Sequence, residues 1–490
     1  MKIKTFMIVI LLLLLSGCAK KEEVESLFKY EIIEETVHIT SYEGNEEKVV
    51  IPEKLEDLDV VKINDAVFKD NLNIKEVILN KNLIEIGESC FSGCKEIEEI
   101  IIPETVNVIG ANAFFNCSNL KIFVENFKIP NTWDTNFNSC TRPLLVDFKS
   151  FVENDTFKVA LKKDQTLCIY GLIDNNLTEI VIPNKIDDKT VNQILAESFK
   201  ENKLLESITL SNSLEELPSK LFFNASNLKT VSFQDESSIK AIGISAFSGC
   251  SSLLEIALPD SITSIDKYAF NGCSNLISVE LSNSLISLGD SCFAYCESLD
   301  EIIIPDGVSN IPDFAFLENK SLRTVVFKTG LLMIGVGSFS NCVSLGDIEI
   351  PNTVVSIGNS CFNNCTSLLN VSLSSSLSYL GNNAFNGCSN IEYIHLPSGV
   401  VIIRSSTFEG CSKLTAISLA VNTNKIEDNA FNGCSSLLEI RLPLVITKIG
   451  YHAFSGCNVI LIYAEAESKP ATWDDSFNPD NRPIVWGHID

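Results

Sequence analysis

Seventeen cysteines and four histidines are the residues of this 490-residue chain with the most chemistry to offer. Eleven cysteines stand three residues after a phenylalanine that recurs about every 23 residues: Cys94, Cys117, Cys250, Cys273, Cys296, Cys342, Cys365, Cys388, Cys411, Cys434 and Cys457. Three more, Cys90, Cys292 and Cys361, replace the small residue just before that phenylalanine, and Cys140 and Cys168 lie outside both columns. The Cys-x-x-x-Cys pairs Cys90/Cys94, Cys292/Cys296 and Cys361/Cys365 do not have the Cys-x-x-Cys spacing of a zinc knuckle. A cysteine placed once per repeat reads instead as a packing ladder of buried thiols. Stacked neighbours also come near bridging distance, so a disulfide ladder is the alternative, although parallel side chains in one ladder meet poorly. The histidines His38, His395, His452 and His488 recur with no serine or cysteine partner. Gly335-Val-Gly337-Ser338 has the glycines of a phosphate loop but no lysine after them, and Gly335 shares its column with Gly110, Gly243, Gly358 and Gly450. The sequence therefore offers no catalytic set, no cofactor site and no metal site, and the expectation is that this is not an enzyme.

The elements that carry these residues are repeats. Phe247, Phe270, Phe293, Phe316, Phe339, Phe362, Phe385, Phe408, Phe431 and Phe454 are each 23 apart. Phe199 and Phe222 extend the series upstream with two extra residues before Phe247, and Phe68, Phe91 and Phe114 form a second, shorter series. A typical unit runs Leu253-Leu-Glu-Ile256-Ala-Leu258-Pro259, Ile262-x-x-Ile265, Ala269-Phe270-Asn-Gly-Cys273. The alternation at its start points Ile256 and Leu258 inward and Ala257 outward. A unit this short encloses no core and must stack on its neighbours, coil on coil at about 4.8 Å. Twelve such coils make a stack roughly 55 Å long. Pro259, Pro305, Pro351, Pro397 and Pro443 recur every 46 residues, which gives alternate coils different corners. Two matching end caps, Trp133-Asp-x-x-Phe137 through Arg142-Pro143 and Trp473-Asp-x-x-Phe477 through Arg482-Pro483, divide the chain into two capped blocks.

The first residues set the compartment. Lys2 and Lys4 precede an apolar run from Phe6 to Leu15, closed by Ser16-Gly17-Cys18. The run is too short for a spanning helix, which needs about 20 residues, and has the layout of a secretory signal. Its Leu-x-Gly-Cys ending resembles the bacterial lipoprotein lipobox, which implies cleavage before Cys18 and a diacylglycerol on its sulfur. Two or three buried acyl chains hold a protein on a bilayer where one holds it poorly. Cleavage leaves 35 basic residues against 63 acidic ones, a balance that repels nucleic acid and anionic lipid headgroups. The expected organisation is a signal peptide at 1–17, a tether at 18–29, a short block at 30–146, a linker at 147–156 and a long block at 157–490.

The repeat, Leu-x-x-Ile-x-Leu-Pro-x-x-Ile-x-x-Ile-Gly-x-x-Ala-Phe-x-Gly-Cys, recurs about fifteen times and strongly resembles the BspA-like class of leucine-rich repeat. That resemblance implies a leucine-rich-repeat solenoid of short parallel β-strands joined by loops and short helical turns. It also implies a bacterial surface protein, with a role in adhesion to host matrix, host cells or other bacteria. A structural role in the cell envelope without a soluble ligand is the alternative. Repeat proteins bind through broad faces, and the outward strand positions vary in chemistry where the inward ones stay Leu, Ile and Val. The candidate partner face is acidic at Glu255, Glu280, Glu301, Asp347 and Glu349, and later offers Tyr393, His395 and Arg441. A protein ligand is expected, with no nucleic acid or small-molecule substrate, and with membrane contact through the lipid on Cys18 alone.

Overall fold

A computed structural model describes residues 26–488, so the signal peptide and Cys18 lie outside the described residues. The chain forms two compact units, Met1–Asn154 with Lys158–Cys168, and Asp155–Phe157 with Ile169–Asp490. Both are β-solenoids, and no helix occurs among the described residues.

Each coil of the second unit supplies two short strands and one corner. The first row includes Glu255–Ala257, Ser278–Glu280, Glu301–Ile304 and Thr324–Phe327, paired parallel and in register (Glu255↔Ser278, Ser278↔Glu301, Glu301↔Thr324). The second row, Ala241–Ile242, Ser264–Ile265 and Ser287–Leu288, is built from the Ile-x-x-Ile segment and pairs the same way. Proline ends the first row in alternate coils, where it has no N–H to offer a ladder. Two of the four coils between place a buried serine there instead, Ser282 and Ser374, each accepting the amide of the residue two further on at 3.1 Å, while Lys328 and Ala420 hold the position in the other two. Proline in every second coil gives this corner a period of 46 rather than 23.

The Ala-Phe corner departs from the expected helical turn. In nearly every coil the backbone is left-handed two residues before and two after the Phe, as at Ser245 and Gly249 or Tyr268 and Gly272. Three amides then face the next coil: Tyr268 N–H donates to Asp290 O (3.0 Å), Phe270 to Cys292 O (2.8 Å) and Gly272 to Ala294 O (2.9 Å). A helical turn would satisfy such amides within its own coil and leave neighbouring coils unlinked at this side. The solenoid spends them between coils.

Phe side chains fill the interior as one file of rings. Centroids lie 5.0 Å apart for Phe247–Phe270 and for Phe270–Phe293, with planes 5° and 3° from parallel. The file runs in this way from Phe199 to Phe454, and Phe477 closes it edge-on at 79°. Trp473 covers that end, 3% exposed, its indole N–H donating to Ile446 O. In the first unit Trp133 does the same toward Val106 O, above the shorter file Phe68–Phe91–Phe114. The start of that file is closed by the antiparallel hairpin Phe28–Ile33 and Thr36–Tyr42, which lays Tyr42 against Phe68 at 5.2 Å. Strand thus begins at Phe28, inside the stretch read as a tether.

The segment read as a linker is also structured. Phe148–Val152 is a strand paired antiparallel with Phe157–Lys162. Phe148 and Phe151 pack on Phe123 at 5.2 and 5.0 Å, and Lys158 lies 3.6 Å from Glu98. Phe123 occupies an outward strand position and would otherwise be exposed, so the hairpin buries an apolar residue that the coil leaves uncovered.

Candidate binding surface

The cysteine column answers the first chemical question. All eleven thiols donate to the phenylalanine carbonyl of the preceding coil: Cys273 Sγ to Phe247 O (3.2 Å), Cys365 to Phe339 O (3.2 Å), Cys94 to Phe68 O (3.0 Å) and so on along both files. The same carbonyl accepts the amide three residues on, as Phe247 O does from Cys250. A thiol is therefore a small hydrophobe that also serves the second lone pair of a buried carbonyl. Burial pushes Cys250 and Cys411 up to about 12 and holds Cys365 well above the ordinary thiol range. These thiols stay protonated at neutral pH, the wrong state for a nucleophile or a metal ligand. Gly335 is equally structural: its amide donates to Ile311 O at 2.9 Å, and a Cβ there would meet Pro312 backbone at 2.7 Å.

Cys140 belongs to the same logic, although its column is not evident from the repeat alone. It stands three residues after the cap residue Phe137, as Asp480 stands three after Phe477. At the end of each unit, three corner amides need acceptors. His452, Phe454 and Gly456 donate to Ser476 O, Phe477 O and Asp480 Oδ2, the last at 2.7 Å. Asn112, Phe114 and Asn116 donate to Asn136 O, Phe137 O and Cys140 Sγ, the last at 3.4 Å. Such a row of amides favours an anion, and Asp480 supplies one.

The outward strand face of the second unit holds all eight candidate partner residues, each exposed. Glu255 and Glu301 share one column with Ser278 between them, about 10 Å apart at two coil steps. Glu280 lies in the neighbouring column beside Ala257. Among the described residues Glu255, Glu280, Glu301 and Glu349 have no ion-pair partner, whereas nearby Asp290, Glu297 and Asp300 are paired with Lys267, Lys320 and Arg323. Asp347 is less free, because its Oδ1 accepts both the amide and the side-chain N–H of Asn370 (3.2 and 2.9 Å).

Tyr393 and His395 sit directly beside Ala416 and Ser418 in the next coil. Arg441 is engaged within the chain: its guanidinium lies 5.2 Å from the Tyr463 ring centroid, donates to His488 Nε2 at 3.1 Å and approaches Glu439 at 3.7 Å. The acidic residues and the Tyr393–Arg441 group therefore form two separate patches on one face.

Sequence reasoning passed over the second strand row. Its outward positions carry Ile286, Leu332, Met333 and Val355, 63%, 47%, 49% and 41% exposed, and Val355 N–H bonds to Leu332 O in the adjacent coil. The signal was present as apolar residues inside the Ile-x-x-Ile gap. In the first unit, Ile78, Leu79, Ile101, Pro103 and Phe151 line a cleft of about 380 Å³ on the outward face.

The BspA-type leucine-rich-repeat region matches residues 41–158, 170–263, 240–351 and 333–460. The chain belongs to this family. Leucine-rich-repeat proteins are among the similar solved structures. One from Bacteroides ovatus is 24% identical over 94% of this chain and 98% of its own, with a TM-score of 0.42. A leucine-rich cell surface protein from Faecalibacterium prausnitzii is 19% identical over 95% and 97%, with a TM-score of 0.32. The pneumococcal vaccine antigen PcpA is 16% identical over 70% and 100%, with a TM-score of 0.36. No curated protein matches the sequence. The BspA-type family is one of repeat proteins suited to protein interaction, and among the described residues no group of three or more His, Cys, Asp or Glu could hold a metal ion. Nor is any helix among them long and apolar enough to cross a membrane.

Proposed function

We propose that this BspA-type protein is a bacterial surface protein that adheres to or recognises another protein, host or bacterial, through the outward strand face of its second unit. A lipid on Cys18 holds it to the membrane, and Glu255, Glu280, Glu301, Asp347 and Glu349 form the face that meets a basic partner. The observation that carries this reading is the set of exposed carboxylates Glu255, Glu280, Glu301 and Glu349, which have no ion-pair partner among the described residues, whereas Asp290, Glu297 and Asp300 are paired with Lys267, Lys320 and Arg323. Carboxylates left over by the fold are available to a partner, and complementary charge steers and selects it. Pairing of this kind weakens with salt.

The test is a binding screen of the purified chain against extracellular-matrix proteins and against cells of its own and other species. Capture of a ligand is expected at low salt, to be lost when Glu280, Glu301 and Glu349 are together reversed to Lys with the melting temperature unchanged. A triple variant that binds like the parent at low salt would place recognition elsewhere. Self-association without any other capture would favour the envelope-scaffold reading instead.

A further inference from the structure

The second patch on the same face has a different chemistry from the acidic one. Strand Ala416–Ser418 presents two small residues outward, flanked by Tyr393 and His395 on the coil before it. On its other side Ala416 pairs with Glu439, whose strand also presents Arg441. Small residues between large ones leave a trough two strand spacings wide, about 10 Å. Its far side is a cleft of about 340 Å³ lined by Ala416, Ser418, Val421, Arg441, Tyr463, Glu465 and His488 among others, at the small end of the range for ligand sites. The Tyr463 ring stands in that cleft with Arg441 5.2 Å and the His488 ring 4.7 Å from its centroid. The Arg441–His488 hydrogen bond fixes the guanidinium against the ring, so little ordering is left for a ligand to bring about.

We propose that this cleft is a carbohydrate subsite that takes a neutral sugar ring. A sugar presents an apolar C–H face to an aromatic ring and hydroxyls, each donor and acceptor, around its edge. The cleft offers both: the Tyr463 ring, then guanidinium donors from Arg441, carboxylate acceptors from Glu439 and Glu465, and the Ser418 hydroxyl. One guanidinium against two carboxylates gives no preference for a phosphate or another anion. An extended peptide fits less well, because the strands that floor the cleft are already paired on both sides, Ala416–Ser418 with Tyr393–His395 and Glu439, and Glu439–Leu442 with Ala416 and Leu461, and offer no edge there for strand addition. The site is independent of the acidic columns and of the protein partner assigned to them.

The probes are neutral oligosaccharides of hexoses and N-acetylhexosamines, with a basic and an acidic ten-residue peptide alongside, each added to the purified chain. Saturation-transfer NMR is expected to detect at least one oligosaccharide, and calorimetry to show its affinity falling more than tenfold in Tyr463→Ala. Tyr463→Phe retains the ring and is expected to bind nearly as the parent does. Ser418→Trp fills the floor from an outward position and should block binding without touching buried Ile417. Glu280→Lys, on the other patch, should leave the sugar affinity unchanged. Absence of binding to any of the oligosaccharides, sugar binding that survives both Tyr463→Ala and Ser418→Trp, or peptide binding that these two substitutions abolish would each overturn the proposal.

Discussion

Asn319 stands in the cysteine column, fully buried between Cys296 and Cys342. Its Oδ1 accepts the Cys296 amide at 2.9 Å, but its Nδ2 has no partner among the described residues. An unsatisfied buried N–H costs about 1–3 kcal/mol, so Asn319→Cys, which restores the column residue, should raise the melting temperature; a fall would mean that the Cys296 amide is the greater need. Phe362 and Cys365 separate the two roles of the corner. Truncating Phe362 to Ala opens the ring file and should cost about 3–5 kcal/mol, whereas Cys365→Ala removes one small group and should cost far less, a contrast chemical denaturation measures directly. The thiols also set an alkaline limit. Cys250 and Cys411 rise from the ordinary value near 9 to about 12 in the folded chain. Unfolded thiols release their protons first, so this contribution is complete below pH 9 and is lost as pH climbs toward 12. Melting temperature should therefore fall from about pH 9 upward, less steeply in Cys411→Ala; equal slopes would show that other groups govern the alkaline limb.

At the scale of elements, the caps show what the sequence made legible and what it hid. The paired Trp-Asp-x-x-Phe motifs identify both end caps, because a cap is a local pattern and it occurs twice. The inward columns of Ile, Leu and Phe are equally plain, since burial constrains them once per coil. The corner geometry is hidden, because each amide finds its acceptor about 23 residues away and no local pattern records that. The second strand row is hidden for another reason: it is two residues long, and Thr263-Ser264 reads like a loop. The hairpin around Phe148 and Phe157 has no repeat to announce it, and Phe148 and Phe151 acquire meaning only beside Phe123. As for the candidate face, its columns followed from strand alternation, but Asp347 and Arg441 turned out to be tied to Asn370 and to Tyr463 and His488. The cap itself makes a testable claim. Asp480 places a carboxylate on the last corner amide of the second unit where Cys140 places a thiol in the first. A charged acceptor on a row of aligned amides is worth about 0.3–1 kcal/mol at an exposed site. Asp480→Ala should accelerate hydrogen exchange at Gly456, and Cys140→Asp should slow it at Asn116; no change at either amide would reject the role given to Asp480.

Across a whole unit, the stack behaves as a line of coils, each stabilised mainly by the two it touches. Phe316 and Phe454 are both fully buried in the same ring file, yet Phe316 lies between full coils while Phe454 has the edge-on cap residue Phe477 on one side. If every coil belonged to one indivisible core, Phe316→Ala and Phe454→Ala would lower protection everywhere alike. A linear stack gives different outcomes. Phe454→Ala should fray the last coils and cap, with hydrogen exchange accelerated beyond about residue 430 and unchanged near Phe247. Phe316→Ala breaks the interface on both sides of its coil, so the stretches before and after it should exchange and unfold as two partly independent blocks. Denaturation of that variant should become broader, with a lower m-value for the first transition than for the parent, since less surface is exposed in each step. A single sharp transition in both variants, with protection lost uniformly, would show that cooperativity extends through the whole file of rings and that the nearest-neighbour picture fails for this solenoid.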